Sequence, residues 1–134
     1  MLFAFLECVR GWLMPFPFWK KSLGKRGEYL ARRYYRRRGY HLVAANWRHG
    51  HGEIDLIVAN WKRLVFVEVK ARTRKEGFPV GNVISYKQRR RLLRLARVYR
   101  NSWAELEFDW RFHLVLLKFK DPTHFLTEIT ELFE

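Results

Sequence analysis

The chain has 134 residues, with 27 Lys and Arg against 13 Asp and Glu, a formal charge of +14 and an isoelectric point near 10.5. That length, 49% hydrophobic, suits one domain with a real core, and the surplus of positive charge points to a polyanion, nucleic acid first, held through counterion release. Its single cysteine, Cys8, excludes an internal disulfide framework and a Cys-based zinc site, and fits a reducing cytoplasm.

Met1 to Phe18 is apolar, but Glu7 and Arg10 interrupt it and Pro15 and Pro17 break it again. Its uninterrupted stretches fall short of the roughly 20 residues a transmembrane helix needs, and the charged start of a signal peptide is missing. The expectation is an aromatic-rich extension over residues 1–22, a flap or short helix on the body, with an interfacial amphipathic helix as the second reading. Residues 23–134 then form the domain.

From Leu23 onward, Gly27, Leu30, Ala31 and Tyr34 recur at helical spacing, arginines fill the other positions, and Gly39 caps the end. Tyr40 to Trp47 alternates as a strand, Arg48 to Gly52 reads as a turn, and Ile54 to Ala59 is a second strand. Asn60 to Arg63 turns the chain into a third strand, Leu64 to Ala71, rich in Val and Phe. A loop follows through Gly77, Pro79 and Gly81. Ser85 and Gln88 have capping-box spacing ahead of a second helix whose apolar stripe is Leu92, Leu95, Ala96 and Tyr99. Seven of the fifteen residues from Tyr86 to Arg100 are basic and none is acidic, so an anionic ligand would relieve their repulsion. Phe112 to Phe119 is an apolar fourth strand, and Phe125 to Ile129, after the Asp121-Pro122 turn, is a short edge strand. The order α-β-β-β-α-β with a trailing β predicts an α/β fold with a central mixed sheet flanked by helices.

Within these strands three charged residues stand where burial would be costly: Asp55, Glu68 and Lys70. Strand alternation puts Glu68 and Lys70 on one face with Phe66, and an antiparallel hairpin brings Asp55 beside them. Two converging carboxylates offer hard oxygen ligands to Mg²⁺ or Mn²⁺. The neighbouring ammonium can orient an attacking water and balance charge on a phosphoryl group.

Asp55 with Glu68-Val69-Lys70 resembles the PD-(D/E)XK nuclease signature. More narrowly, Gly27-Glu28, Gly52-Glu53-Ile54-Asp55-Leu56-Ile57, Phe66-Val67-Glu68-Val69-Lys70-Ala71-Arg72 and Lys87 resemble the YraN-like family of small bacterial proteins, over roughly Leu23 to the C-terminus. The resemblance implies a restriction endonuclease-like fold and a nuclease activity related to archaeal Holliday junction resolvases. It implies Asp55 and Glu68 as metal ligands, Glu28 as a further acid facing the metal, Lys70 as the catalytic lysine and Lys87 as a phosphate contact. The chain departs from the family in its fourth strand, where Arg111-Phe112-His113 stands in place of Arg-Phe-Asp, and in its N-terminal extension.

Plainer readings accompany these. Glu68 and Lys70 could be a charge pair on a solvated face, although Phe66 beside them argues against open solvent. Glu28 could be a first-turn acid on the helix dipole, and Glu53 reads as a turn carboxylate. His49 and His51 lack a third partner and are taken as turn residues. Tyr35, Trp47 and Trp61 could stack on bases, but packing is the favoured role. The combined expectation is a Mg²⁺- or Mn²⁺-dependent endonuclease acting on DNA, branched or structured DNA included. Lys87, Arg90, Arg91, Arg94 and Arg72 would lie on backbone phosphates. The alternative is a non-catalytic basic nucleic-acid-binding protein on the same scaffold. Symmetric cutting of two strands would suit a homodimer, and no membrane partner is expected.

Overall fold

A central pair of parallel strands organises the molecule. The structure, a computed structural model, describes residues 2–5, 22–75, 77, 83–103, 107, 109–122 and 124–132. In chain order the elements are β1 (Leu2–Phe5), α1 (Leu23–Arg37), β2 (His41–His49), β3 (Gly52–Ala59), β4 (Arg63–Thr73), α2 (Tyr86–Asn101), β5 (Asp109–Phe119) and β6 (Phe125–Glu131). They build a six-stranded mixed sheet in the order β1-β6-β5-β4-β3-β2. β4 and β5 pair in parallel and the other neighbours are antiparallel. Parallel neighbours require a long crossover, and α2 supplies it.

Both helices begin and end on local chemistry. The Ser22 hydroxyl accepts the Lys25 N–H at 3.4 Å, and Gly39 follows α1 at φ +83°, a left-handed conformation that glycine adopts without steric cost. At α2 the capping box is present: Ser85 Oγ accepts the Gln88 N–H at 3.1 Å and Gln88 Oε1 accepts the Ser85 N–H at 2.9 Å. Each helix then buries its apolar stripe on its own face of the sheet. Leu30, Ala31, Tyr34 and Tyr35 of α1 pack on Val65, Val67, Val115 and Leu117; Leu92, Leu95, Ala96 and Tyr99 of α2 pack on Ile54, Phe66, Phe112 and Leu114. Burying each large apolar side chain contributes about 1.5–3 kcal/mol, which is what clamps the two helices to opposite faces.

Three expectations change. β6 is not an edge, because Leu2↔Thr130 through Phe5↔Thr127 pair β1 along it; Leu2–Phe5 is therefore a strand rather than part of a flap or short helix. The turn at Arg48 to Gly52 is tighter than its polarity suggests. β2 runs on to His49, which pairs with Gly52, and Gly50 at φ +58° makes the reversal. Tyr35, by contrast, keeps its favoured packing role: it is 2% exposed in the core, so base stacking is closed to it. The readings of residues 6–21, Cys8 included, and of Pro79 and Gly81 lie outside the described residues. Among the described residues no helix is long and apolar enough to cross a membrane.

Candidate active site

The β3–β4 hairpin is paired from Ala59↔Leu64 to Leu56↔Val67 and stops there. One step further the same register would set Asp55 opposite Glu68. Instead, Asp55 Oδ2 accepts the Val69 N–H at 2.7 Å, so a side-chain oxygen takes the place a strand carbonyl would fill, and the ladder ends. Burial along β4 is continuous from Leu64 to Val67 and relaxes at Glu68, Val69 and Lys70, where the strand opens to the surface. Alternation places Glu68 and Lys70 on the α2 face with Phe66, as the sequence predicts.

β2 helps to release Asp55. Its pairing with β3 passes from Ala45↔Leu56 to Trp47↔Ile54 and skips the Asn46/Asp55 position, where Asn46 takes φ +51°. Asn tolerates the left-handed region better than other side chains, and the kink leaves Asp55 outside both ladders. Sequence reasoning missed Asn46; an Asn inside an otherwise alternating run was the available signal.

Burial raises the pKa of both carboxyls. Glu68 is pushed up to about 7 by burial first and then by repulsion from Asp55, with Lys70 pulling the other way. Asp55 is raised by burial against the opposing Val69 N–H and the Lys70 charge. The two carboxyl groups lie within hydrogen-bonding reach of each other, and Lys70 Nζ stands 3.2 Å from Glu68 Oε1. The Glu68 side chain is only 13% exposed, which distinguishes this group from a charge pair on a solvated face.

Two glycines bring the helices in close. A Cβ on Gly27 would stand 3.0 Å from Ala71 Cβ and 3.3 Å from Val69 Cγ1, so α1 approaches β4 closely at this point. The next residue, Glu28, is half-buried; burial raises its carboxyl, Lys25 and Arg32 oppose the rise, and repulsion from Asp55 and Glu53 adds to it. A Cβ on Gly52 would lie 2.5 Å from Leu95 Cδ1, which seats α2 over the start of β3. The site is thus approached from both faces, by Glu28 from α1 and by Glu68 and Lys70 on the α2 side.

Among the described residues no set of three His, Cys, Asp or Glu side chains is close enough to hold one metal ion, so Glu28 does not close into a ligand cluster with Asp55 and Glu68. The pair itself fits a hard divalent cation. Mg²⁺ commonly takes one or two carboxylates and fills the rest of its shell with water and substrate oxygens, and a cation here would offset the burial that lifts both pKa values and the repulsion from Asp55 that adds to it at Glu68.

The remaining residues sort by their surroundings. Lys87, Arg90, Arg91 and Arg94 are exposed on α2, and no ion pair joins them to a carboxylate among the described residues. Arg72 is half-buried and donates from Nη1 to the Ala71 carbonyl at 2.9 Å. Glu53, read as a turn carboxylate, lies instead in β3 opposite Arg48 of β2 and pairs with it at 2.8 Å. His49 stacks on Trp47, Trp47 meets Tyr99 edge-on, and Trp61 is 90% exposed at the β3–β4 turn. His113, on β5, faces the Tyr35 hydroxyl through Nδ1 at 2.7 Å; burial pushes its pKa down to about 4, so the ring is neutral at pH 7.

With this geometry in view, the family model described as "Uncharacterised protein family UPF0102" matches residues 27–117, a span that contains Glu28, Asp55, Glu68, Lys70 and Lys87. A UPF0102 protein of Chlorobium limicola is 37% identical over 97 residues, covering 72% of this chain and 74% of its own. One of Nitratidesulfovibrio vulgaris (strain DP4) is 32% identical over 115 residues, 86% of each chain, and one of Rhodococcus jostii is 44% identical over 92 residues, 66% of this chain and 78% of its own.

Proposed function

The chain belongs to the uncharacterised protein family UPF0102, and on the geometry of the β3–β4 opening we propose that it is a divalent-metal-dependent endonuclease acting on DNA. The observation that carries this reading is the pairing of Asp55 with Glu68: two half-buried carboxyl groups within hydrogen-bonding reach of each other beside one ammonium, in a chain with about twice as many bases as acids.

Asp55 and Glu68 would hold Mg²⁺ or Mn²⁺, and the cation, when bound, would supply Lewis-acid stabilisation to the phosphoryl oxygens. Asp55 is oriented for this by the Val69 N–H, which fixes one of its oxygens. With a pKa near 7, Glu68 is close to half protonated at neutral pH, so occupancy of the pair and loss of the Glu68 proton are linked. Lys70, 3.2 Å from Glu68, is placed to orient water for in-line attack and to balance charge on the phosphoryl group. Glu28 adds negative potential from the α1 side. Lys87, Arg90, Arg91 and Arg94 hold the backbone without reading bases, which favours substrates distinguished by shape over sequence.

Incubating the protein with Mn²⁺ and supercoiled, single-stranded or four-way-junction DNA tests the reading. Wild type should nick, and Asp55→Ala and Lys70→Ala should each lose at least about 100-fold in rate, the scale expected when one charge-stabilising group is removed. Equal nicking by all three proteins would reject it. The second reading, a non-catalytic binder, draws on the basic α2 surface but gives no reason for crowding Asp55 against Glu68.

A further inference from the structure

The nuclease reading uses the α2 surface and leaves the arginines of α1 without a role. These line a cleft of about 760 Å³ between the outer flank of α1 and the start of β2, which also reaches Val58 near the end of β3. Arg32, Arg36 and Arg37 are exposed, Tyr29 and Tyr40 form half-buried walls, and Leu42 is 41% exposed at the rim. The composition differs from that of the α2 groove, where Tyr86 is the one aromatic among the described lining residues and Arg90 lies over its ring, 5.8 Å from the centroid.

The cleft also leads to the acids. Glu28, Arg32 and Arg36 follow one another at four-residue spacing, so the two arginines stand about 6 and about 12 Å further along the axis of α1 than Glu28. On β3, Val58 is three residues from Asp55, about 10 Å along the strand. A chain of phosphates lying at the parting of β3 and β4 would therefore continue along this flank. Arginines interleaved with aromatic walls suit a strand whose bases are unpaired: the guanidinium groups track phosphates and the rings take base faces. Tyr29 and Tyr40 pack one side on the core beneath α1, Tyr40 edge-on to Tyr35, and a duplex, which keeps its base faces stacked inside, would offer no base to the parts of these rings that face the cleft.

We propose that the α1/β2 cleft is a second nucleic-acid site, which holds a single-stranded segment continuous with the strand at the Asp55/Glu68 pair, while α2 holds duplex backbone on the opposite face of the sheet. The continuity with a cut strand rests on the nuclease reading; binding in the cleft does not. Substrates with a single-stranded arm next to a duplex would then be favoured.

Binding of fluorescein-labelled 12-residue oligothymidine, an abasic 12-mer of equal charge, and a 12-base-pair duplex can be followed by anisotropy with the full chain in chelator, where cleavage plays no part. The abasic strand should bind about tenfold more weakly than oligothymidine, the scale of a single base–aromatic stack. Arg36→Gln/Arg37→Gln should weaken oligothymidine binding about tenfold and lower its salt slope by roughly 1.4, about 0.7 for each phosphate no longer neutralised, with less than about threefold change for duplex. Arg90→Gln/Arg94→Gln should do the reverse. Equal affinity for the abasic strand, unchanged oligothymidine binding in the α1 variant, or equal losses on strand and duplex would each overturn the assignment. Should the α1 variant not fold, the comparison of abasic strand with oligothymidine on wild type still decides. Selective strand binding by a protein that never cuts would refute the nuclease and leave the cleft in place, whereas cutting without strand selectivity would refute the cleft alone.

Discussion

Acids on β5 and β6 sit among cations, whereas those where β3 and β4 part sit against each other. Asp109 accepts from Arg63 at 2.9 Å and from Arg111 at 3.3 Å, Glu131 takes Arg111 at 2.8 Å, and Glu128 takes Lys118 at 2.6 Å. Asp55 and Glu68 share one ammonium, and burial leaves both protonating more readily than ordinary carboxyls, with repulsion from Asp55 adding to the rise at Glu68. A sequence with 27 bases can neutralise every acid it has, so an arrangement that packs two carboxylates together is the one where, on the proposed reading, a cation from outside the chain would be the further partner. The acids of β5 and β6 are held by cations within the sheet; the crowded ones mark the candidate site.

Three substitutions should sharpen that contrast, beginning with the largest effect. Gly27→Val would force side-chain atoms into Ala71 and Val69 where α1 meets β4, costing about 1–3 kcal/mol and moving Glu28 away from Asp55; thermal unfolding measures the loss. A melting temperature equal to wild type would show that the close approach is not needed.

Glu68→Gln should have the opposite sign in metal-free protein. The folded pKa of Glu68, about 7, exceeds its unfolded value of about 4.5, so the folded state binds the proton more tightly between these pH values. Wild-type stability attributable to this group is present below about pH 4.5 and is lost as pH rises through 7. The glutamine variant escapes that loss and should be more stable by ~1–2 kcal/mol at pH 8, less than the full shift implies because Lys70 loses its partner, and close to wild type at pH 4.5. His113, pushed down to about 4, weakens both proteins as pH falls below 6.5 and cancels in the difference. A variant less stable than wild type at pH 8 would mean that the carboxylate is satisfied within the chain.

The smallest effect should come from the well-paired acid. Asp109→Asn removes a half-exposed ion pair and should destabilise by only about 0.2–1 kcal/mol in denaturant unfolding. A stabilisation like that of Glu68→Gln would erase the distinction between the two groups.

Much of the scaffold was legible because it rests on local chemistry. The spacing of Ser85 and Gln88 set the start of α2, Gly39 ended α1, and alternation along Phe66 to Lys70 placed Glu68 and Lys70 on one face. What could not be read were departures from regular pairing and the packing of elements distant in sequence. The strand pattern gave no indication that the β3–β4 ladder stops at Leu56↔Val67, and its one hint of the left-handed residue opposite Asp55 was an Asn, Asn46, in an otherwise alternating run. Nor could it place Gly52 under Leu95 or Leu2–Phe5 against β6, neighbours that are tens of residues apart in the chain. Packing was the favoured role for Tyr35, but its partner could not be read: the hydroxyl meets His113 Nδ1 on β5, 78 residues away.

The most direct test of the central claim is calorimetric titration of Mn²⁺ into the wild-type protein and Glu68→Gln at pH 8 and pH 6. The account predicts binding by wild type at pH 8, about tenfold weaker binding at pH 6 as protons compete for a carboxylate with pKa near 7, and no binding by Glu68→Gln. An affinity indifferent to pH, or a variant that binds as well as wild type, would contradict it.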